Sequence, residues 1–263
     1  MGNILETIAE STRERVRVSK EKLPQTKLMD KAFEVAESAP EFLFEKSIRS
    51  KDIAFICECK KASPSKGLIA PDFDYLNIAK DYEAAGAAAI SVLTEPEWFK
   101  GDIRYLNEIA SEVEIPCLRK DFTVDEYMIY EARANGASAV LLICSILTSS
   151  DLERYIRLSD ELGLSALVEA HDREEVNMAL GCGARIVGVN NRNLKDFTVD
   201  PLNCLRLREY IPEDVIFVAE SGIKSKEDIR NLYDNKVNAV LMGESLMRSP
   251  DKKAFIASLR ELL

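Results

Sequence analysis

The chain has 263 residues, 46% hydrophobic and 30% charged, the composition of an ordinary globular protein with room for one large domain or two small ones. No uninterrupted apolar run reaches the ~20 residues of a membrane span. A formal net charge of −10 argues against nucleic acid and acidic membranes as partners, so an anionic ligand requires a locally cationic pocket.

Residues 1–50 are rich in helix formers and charges and are broken by Pro24 and Pro40, which predicts two or three helices ahead of the main fold. The opening MGNILETIAESTRERVRV mixes acids and bases and lacks the apolar core of a signal peptide. Its Met-Gly-Asn start matches a myristoylation motif poorly, because Glu6 stands where Ser or Thr is wanted.

From Ile53 onward, eight β-rich runs follow in order: AFICECKK, AAAISVLT, PCLRKDF, AVLLICS, ALVEAH, IVGVNNR, VIFVAESG and AVLMGES. Each is nearly all apolar and ends in polar or glycine residues, the pattern of parallel strands buried on both faces. Amphipathic stretches fill the gaps. LNIAKDYEAAG and DEYMIYEARANG end on Gly86 and Gly136 as C-terminal caps, and SDLERYIRLSDELG is expected to start on a Ser150 or Asp151 cap and stop at Gly163. The spacing of the eight strand ends suits a strand, a loop and a helix each time. These units predict a single eight-stranded parallel β/α (TIM) barrel over residues 51–263, with residues 1–50 as an N-terminal helical extension and all of 1–263 as one domain. A doubly wound open sheet is disfavoured, since no GxGxxG follows the first strand.

In such barrels the active site lies at the carboxyl ends of the strands. Those ends carry Glu58, Lys60, Lys120, Glu169, His171, Asn190, Arg192, Glu220 and Ser221. Side chains alternate along a strand, so Glu58 with Lys60, Glu169 with His171, and Asn190 with Arg192 share faces. One charged tip is a solvated end or a structural ion pair; charges on four or more strands are costly to bury together unless they serve each other or a ligand. Ser221-Gly222 and Gly243-Glu244 close the last two strands, where exposed backbone amides bind phosphate in these barrels; tight turns are the plainer explanation of either glycine alone. Cys57, Cys59, Cys117, Cys144, Cys182 and Cys204 show no CxxC spacing, and His171 is the only histidine. No metal site is expected, and reduced thiols point to the cytoplasm.

The segment Phe55-Ile56-Cys57-Glu58-Cys59-Lys60-Lys61-Ala62-Ser63-Pro64-Ser65-Lys66-Gly67 resembles the signature of the indole-3-glycerol-phosphate synthase family. Leu118 to Phe122, Leu167 to Glu169, Gly188 to Leu194, Ala219 to Ile223 and Met242 to Met247 follow in the family's order and cover essentially the whole barrel. The resemblance implies ring closure, decarboxylation and dehydration of 1-(2-carboxyphenylamino)-1-deoxyribulose 5-phosphate to indole-3-glycerol phosphate in tryptophan biosynthesis, a carboxy-lyase reaction with no cofactor. It implies Lys120 as general acid, Glu169 as general base, Lys60 as a second lysine facing the anionic substrate and its phosphate, and Glu58 as the carboxylate that orients the lysines. Asn190 and Arg192 would fix the substrate's carboxylate and reacting hydroxyl, and Ser221, Gly222, Gly243 and Glu244 would form the phosphate cup. Ser63, Phe99, Phe122, Leu141, Glu220 and Ser221 are the implied substrate contacts, with Ser63 equally suited to starting a Ser-Pro turn and the two phenylalanines equally suited to core. Some relatives carry Ser or Thr at the position of Glu244, so the backbone N–H there is the expected donor. Trp98 reads as a loop anchor and His171 as a hydrogen-bonding neighbour of Glu169. The expected partner is a small phosphorylated molecule, with no nucleic acid and no membrane, and the expected state is a monomer. Rival readings are another phosphate-binding barrel, such as phosphoribosylanthranilate isomerase or the tryptophan synthase α chain, and a catalytically silent barrel that only binds a sugar phosphate. Neither accounts for the first signature together with Lys60, Lys120 and Glu169.

Overall fold

The computed structural model describes residues 4–49, 52–193 and 197–263. The Met-Gly-Asn start, the boundary at 50 and 51, and Leu194 of the sixth-strand motif lie outside the described residues.

Eight parallel strands close on themselves: β1 (Ala54–Cys59), β2 (Ala89–Leu93), β3 (Cys117–Lys120), β4 (Ala139–Ile143), β5 (Ser165–Ala170), β6 (Ile186–Asn190), β7 (Ile216–Glu220) and β8 (Ala239–Met242). Each pairs with its sequence neighbours, and β1 pairs with β8 to complete the ring. This is the TIM barrel expected from the eight apolar runs. Helices α4 (Tyr75–Ala84), α5 (Ile103–Glu112), α6 (Glu126–Ala134), α7 (Ser149–Glu161), α8 (Arg173–Gly181), α9 (Asn203–Leu207), α10 (Lys226–Asp234), α11 (Glu244–Arg248) and α12 (Lys252–Leu259) follow the strands.

The period of two sorts each strand. On β1, Ala54, Ile56 and Glu58 alternate with Phe55, Cys57 and Cys59, and the second set packs outward with residues such as Tyr82 of α4. Inside the barrel, Ala54, Ile56, Leu118, Leu141, Leu167, Ile186, Val218 and Leu241 form an apolar plug. Small residues beside large ones fill that tapering interior. Above this plug the inward positions turn polar, and there the site begins.

Gly86, Gly136 and Gly163 all take positive φ just past their helices, as their spacing predicts. The start of α7 differs from expectation. Its cap is Thr148, whose hydroxyl accepts from the Asp151 N–H, and not Ser150 or Asp151. A cap must sit on extended backbone outside the helix; Thr148 does, and Asp151 falls in the first turn, where its charge suits the helix dipole.

The N-terminal segment forms α1 (Ile4–Lys22), α2 (Gln25–Ser38) and α3 (Leu43–Ile48). α3 seals the amino-terminal end of the barrel. Phe44 and Ile48 join the interior cluster, the Glu45 N–H donates to Ser165 Oγ, and Ser47 Oγ donates to the Ala88 carbonyl, all at strand beginnings. α1 lies over the opposite end. Leu5 and Ile8 join the same interior cluster, and Arg15 grips Asp121, just after β3, through bonds of 2.7 and 3.1 Å.

Asp121 is fully buried and also accepts from Thr94 Oγ1 at 2.6 Å, with Arg119 Nη2 at 3.5 Å. Burial by itself would raise the Asp121 pKa, but the Arg15 and Arg119 charges and their bonds outweigh it and hold the carboxyl below its ordinary 3.8. Arg15→Ala is expected to cost about 2 kcal/mol, the range for a hydrogen-bonded charge, read as a lower urea midpoint. Because the folded pKa is depressed, the pair's contribution is present above the unfolded value and fades as pH falls through the folded one. The gap between the two proteins should therefore narrow in acid; a constant gap would mean that Arg15 acts by packing alone.

Candidate active site

A cavity of about 500 Å³ opens at the carboxyl ends of the strands. Glu58, Lys60, Ser63, Phe99, Lys120, Phe122, Leu141, Glu169, Asn190, Arg192, Glu220, Ser221, Gly222, Gly243 and Glu244 all line it. Its wall divides into three regions.

The first is a buried acid–base cluster. Lys120 Nζ, at the tip of β3, lies 3.3 Å from Glu169 Oε2 on β5 and 3.7 Å from Glu220 Oε2 on β7. Asn190 Nδ2 donates to the other Glu169 oxygen at 3.2 Å. Burial alone would discharge Lys120, but Glu169, Glu220 and Glu58 together outweigh it and hold the ammonium charged, well above the usual lysine range. Glu169 is also buried, yet Lys120, His171 and the Asn190 bond hold it below its ordinary value. Glu220 goes the other way. Burial and the neighbouring Glu169 carboxylate push it up to about 8 against the pull of Lys120. Its Oε1 is buried with no hydrogen-bond partner. The cluster therefore sets a charged ammonium beside two carboxyl groups whose proton affinities are pushed in opposite directions, an arrangement able both to give and to take protons.

Gly188 makes room for this arrangement, a role not anticipated for it. It points inward on β6, and a Cβ there would meet Glu220 Oε1 at 2.3 Å. An isolated glycine inside an apolar strand signals such a close approach, although it does not name the visitor.

The second region is cationic and glycine-rich. Lys60 Nζ pairs with Glu58 Oε1 at 2.5 Å. Ser221 and Gly222 both take positive φ, 68° and 79°, which turns the chain sharply after β7. Asn191 braces that turn by donating to the Ser221 carbonyl at 3.0 Å, and Ser245 Oγ ties the β8 loop to the Ile223 carbonyl at 3.3 Å. Gly243 stands at the start of α11, where a Cβ would meet Glu58 Oε1 at 2.4 Å and Lys60 Nζ at 3.0 Å. Glu244 turns along its own helix toward Arg248 Nε at 3.2 Å. That leaves its backbone N–H as the group available to an anion. Lys66, Lys224 and Arg248 also line this side, and none of the three was anticipated. Together with Lys60 they supply the local cationic balance that a chain of net charge −10 needs for an anionic ligand.

The third region is apolar. The Phe99 and Phe122 rings stand 6.1 Å apart, and Leu93, Leu141 and Ile143 continue the wall. Ile4, Leu5 and Ile8 of α1 close it from above. The amphipathic pattern of α1 says that one face is buried, but not against what. Trp98 is partly buried against the interior cluster, and the loop around it is anchored chiefly by Glu95, which accepts from the Glu97, Trp98 and Phe99 N–H groups. Arg192 donates to the Phe197 carbonyl at 3.2 Å while facing the cavity, and Ser63 lies in a short hairpin with Gly67–Leu68. His171 does not line this cavity. It faces a second one, with Nδ1 3.0 Å from Glu175 and Nε2 3.4 Å from Glu169. Among the described residues, no three His, Cys, Asp or Glu side chains converge to hold a metal ion.

The family model for indole-3-glycerol phosphate synthase matches residues 5–259. The chain belongs to the indole-3-glycerol phosphate synthase family. Indole-3-glycerol phosphate synthases of Ruminiclostridium cellulolyticum and Lachnoclostridium phytofermentans are 54% and 50% identical to it, over 98% and 99% of this chain and 98% and 100% of theirs. That of Chlorobium phaeovibrioides is 45% identical over 95% of this chain and 96% of its own. Among solved structures, 3-hexulose-6-phosphate synthase from Salmonella typhimurium superposes with a TM-score of 0.66 at 12% identity, covering 80% of this chain and 98% of that one. At that identity the likeness speaks for the barrel alone. The match at residues 5–259 spans all of the strand-end motifs, from the Phe55-to-Gly67 segment to Met247.

Proposed function

We propose that this protein converts 1-(2-carboxyphenylamino)-1-deoxyribulose 5-phosphate into indole-3-glycerol phosphate, carbon dioxide and water, as an indole-3-glycerol phosphate synthase does. The observation that carries this reading is the Lys120–Glu169–Glu220 cluster, set between an apolar wall and a cationic, glycine-rich rim. A substrate with an aryl end, a phosphate end and a reacting ketone between them fits that order.

In this reading the phosphate sits against the backbone N–H groups of Ser221, Gly222, Gly243 and Glu244, with Lys60 nearby. The aryl ring lies among Phe99, Phe122, Leu141 and the α1 residues Leu5 and Ile8, and Arg192 and Asn190 meet the aryl carboxylate and reacting hydroxyl. As the ring carbon attacks the ketone, negative charge grows on its oxygen. A lysine held charged by carboxylates is a poor acid toward a ketone but well matched to the far more basic alkoxide, so Lys120 transfers its proton as the bond forms. Loss of carbon dioxide restores the aromatic ring. A second proton then helps expel the hydroxyl, and Glu169 removes a proton from the adjacent carbon to complete the indole. Lys60, aligned by Glu58, and the protonated Glu220 stand ready for the dehydration step. The acid–base set handles each of these proton transfers without a cofactor, and one proton per turnover is drawn from solvent to balance the carboxylate lost as carbon dioxide.

The same proposal places the enzyme in the cytoplasm as a monomer without a nucleic-acid partner. Six cysteines at apolar, mostly buried positions suit a reducing compartment, and the negative net charge disfavours polyanions. No helix among the described residues is long and apolar enough to cross a membrane. Protein stripped with a chelator and given the substrate alone is expected to develop indole fluorescence at an undiminished rate. Activity that disappears on chelation and returns with a divalent ion would overturn the cofactor-free mechanism.

A further inference from the structure

The proposed reaction, on which this inference rests, has a proton imbalance. Two protons are given up, one to the ketone oxygen and one to the departing hydroxyl, and only one is recovered, from the carbon beside it. The missing proton is the counterpart of an ionised carboxylate leaving as carbon dioxide. One proton per turnover must therefore come from solvent to a cluster in which Glu169 is 2% exposed and over which the bound substrate fills the cavity mouth.

His171 stands between that cluster and a separate opening. A second cavity of about 400 Å³, which shares Leu5 and Asn190 with the first, is lined by His171, Asp172, Glu175, Asn203 and Asp200, whereas none of these five lines the first. The His171 and Glu175 side chains keep 18% and 19% exposure, so solvent reaches them from that side. Glu175 accepts from the His171 backbone N–H at 2.8 Å and holds Nδ1 at 3.0 Å, which fixes the ring plane. Asn203 binds the His171 carbonyl at 3.1 Å. The other ring nitrogen, Nε2, is buried without a hydrogen-bond partner and lies 3.4 Å from Glu169 Oε1. That gap is a small movement away from a hydrogen bond.

We propose that His171, set by Glu175, is the proton conduit that reloads the Glu169–Lys120 pair from the second cavity while substrate occupies the first. The imidazolium gives its Nε2 proton to Glu169 Oε1, leaving the neutral ring with its Nδ1 proton on Glu175. The free nitrogen is then Nε2, and a turn of the ring about its Cβ–Cγ bond brings it to water of the second cavity, which returns one proton there. Glu169 passes its proton to Lys120 across their 3.3 Å bond. No electrons move, and the proton consumed is the one the reaction requires. The charges facing the ring favour this: Glu169 beside it on β5, Asp172 and Glu175 at the start of α8, Glu220 from β7 and Asp200 after β6, with Lys120 beyond Glu169. Burial would make His171 harder to protonate, but Glu175, Glu169 and Glu220 outweigh it and raise its pKa above the ordinary 6.5. His171 acts through Glu169 and touches no substrate, so it is a positioning and relay residue.

The test compares wild type, His171→Asn and Glu175→Gln by steady-state turnover across pH 5–9, in dilute buffer and with added imidazole, alongside titration with indole-3-glycerol phosphate. His171→Asn is expected to lower kcat by about 10- to 100-fold, the lower part of the range for one positioned proton transfer. Its affinity for product should be unchanged, its rate should rise with buffer concentration, and imidazole should restore part of the loss. Glu175→Gln keeps the hydrogen bond without the charge and should shift the basic limb of the kcat profile downward in pH, because the ring is active as the imidazolium and loses a charge that raises its pKa. Wild-type turnover with a His171→Asn variant of equal kcat, or with a loss that neither buffer nor imidazole relieves, overturns the conduit and leaves the proposed activity standing. A wild type that does not turn over overturns both.

Discussion

Lys120→Ala is expected to lower kcat by about 10²–10⁴-fold while leaving affinity for product or a non-reactive analogue largely intact. In the proposed reading the phosphate contacts come from other strands and the aryl wall is made chiefly by Phe99, Leu141 and α1, whereas the developing alkoxide depends on the ammonium that Glu169 and Glu220 hold at 3.3 and 3.7 Å. Removing that ammonium also leaves a buried carboxylate without its main counter-charge, so Glu169 should bind a proton more readily and be less often the free carboxylate that the deprotonation needs. Glu169→Gln should fall by a similar factor, because Gln keeps the shape and the Asn190 contact but accepts no proton. Single-turnover kinetics with separate product titration checks both. If Lys120→Ala weakens analogue binding and spares kcat, Lys120 is a charge clamp and the acid's role passes to Lys60.

Substitution of Gly243 by Val is expected to raise KM by about 10- to 100-fold, the loss for perturbed hydrogen bonds to a charged group, and to lower kcat as well. From sequence, both Gly222 and Gly243 read as phosphate-cup positions whose change raises KM, since the phosphate is remote from the bonds that form and break. The packing separates them. A side chain at Gly243 would enter the space of Glu58 Oε1 and Lys60 Nζ, so it would dislodge the ion pair that aligns the second lysine. At Gly222 a Cβ would meet Val199 Cγ1 at 2.7 Å on a backbone of φ 79°, a disturbance confined to the loops around the phosphate. Gly222→Ala should therefore change KM far more than kcat. Equal effects of the two substitutions on kcat would remove the second function from Gly243, and an unchanged KM in both would place the phosphate elsewhere.

Much of the site was legible because strand periodicity is local. Once the apolar runs are recognised as strands, the inward positions of their last turns follow, and Glu58, Lys120, Glu169, Asn190 and Glu220 fall on them without knowledge of the neighbouring strand. Lys66, Lys224 and Arg248 were not legible, since a surface cation in a loop or short helix looks the same whether or not it faces a cavity. Gly188 carried a signal, a glycine inside a strand, but its meaning depended on Glu220, 32 residues away in the chain. The misplaced cap of α7 has a simpler cause: three hydroxyl residues precede Asp151, and which one lies on extended backbone is decided by where the preceding strand and turn release the chain.

The amino-acid sequence by itself determined the eight-fold repeat, the closed parallel barrel, the family and which polar residues gather at the strand ends, because these rest on patterns spanning only a few residues at a time. The tertiary structure alone decided that the N-terminal segment caps both ends of the barrel, with α3 sealing the bottom and α1 lending Leu5 and Ile8 to the cavity. It also decided that two neighbouring carboxyl groups of the site are pushed apart, with Glu220 raised to about 8 while Glu169 is lowered. The physical reason is the same in each case. Burial and charge act through space between groups such as Arg15 and Asp121, separated by 106 residues along the chain, and no local pattern records that distance.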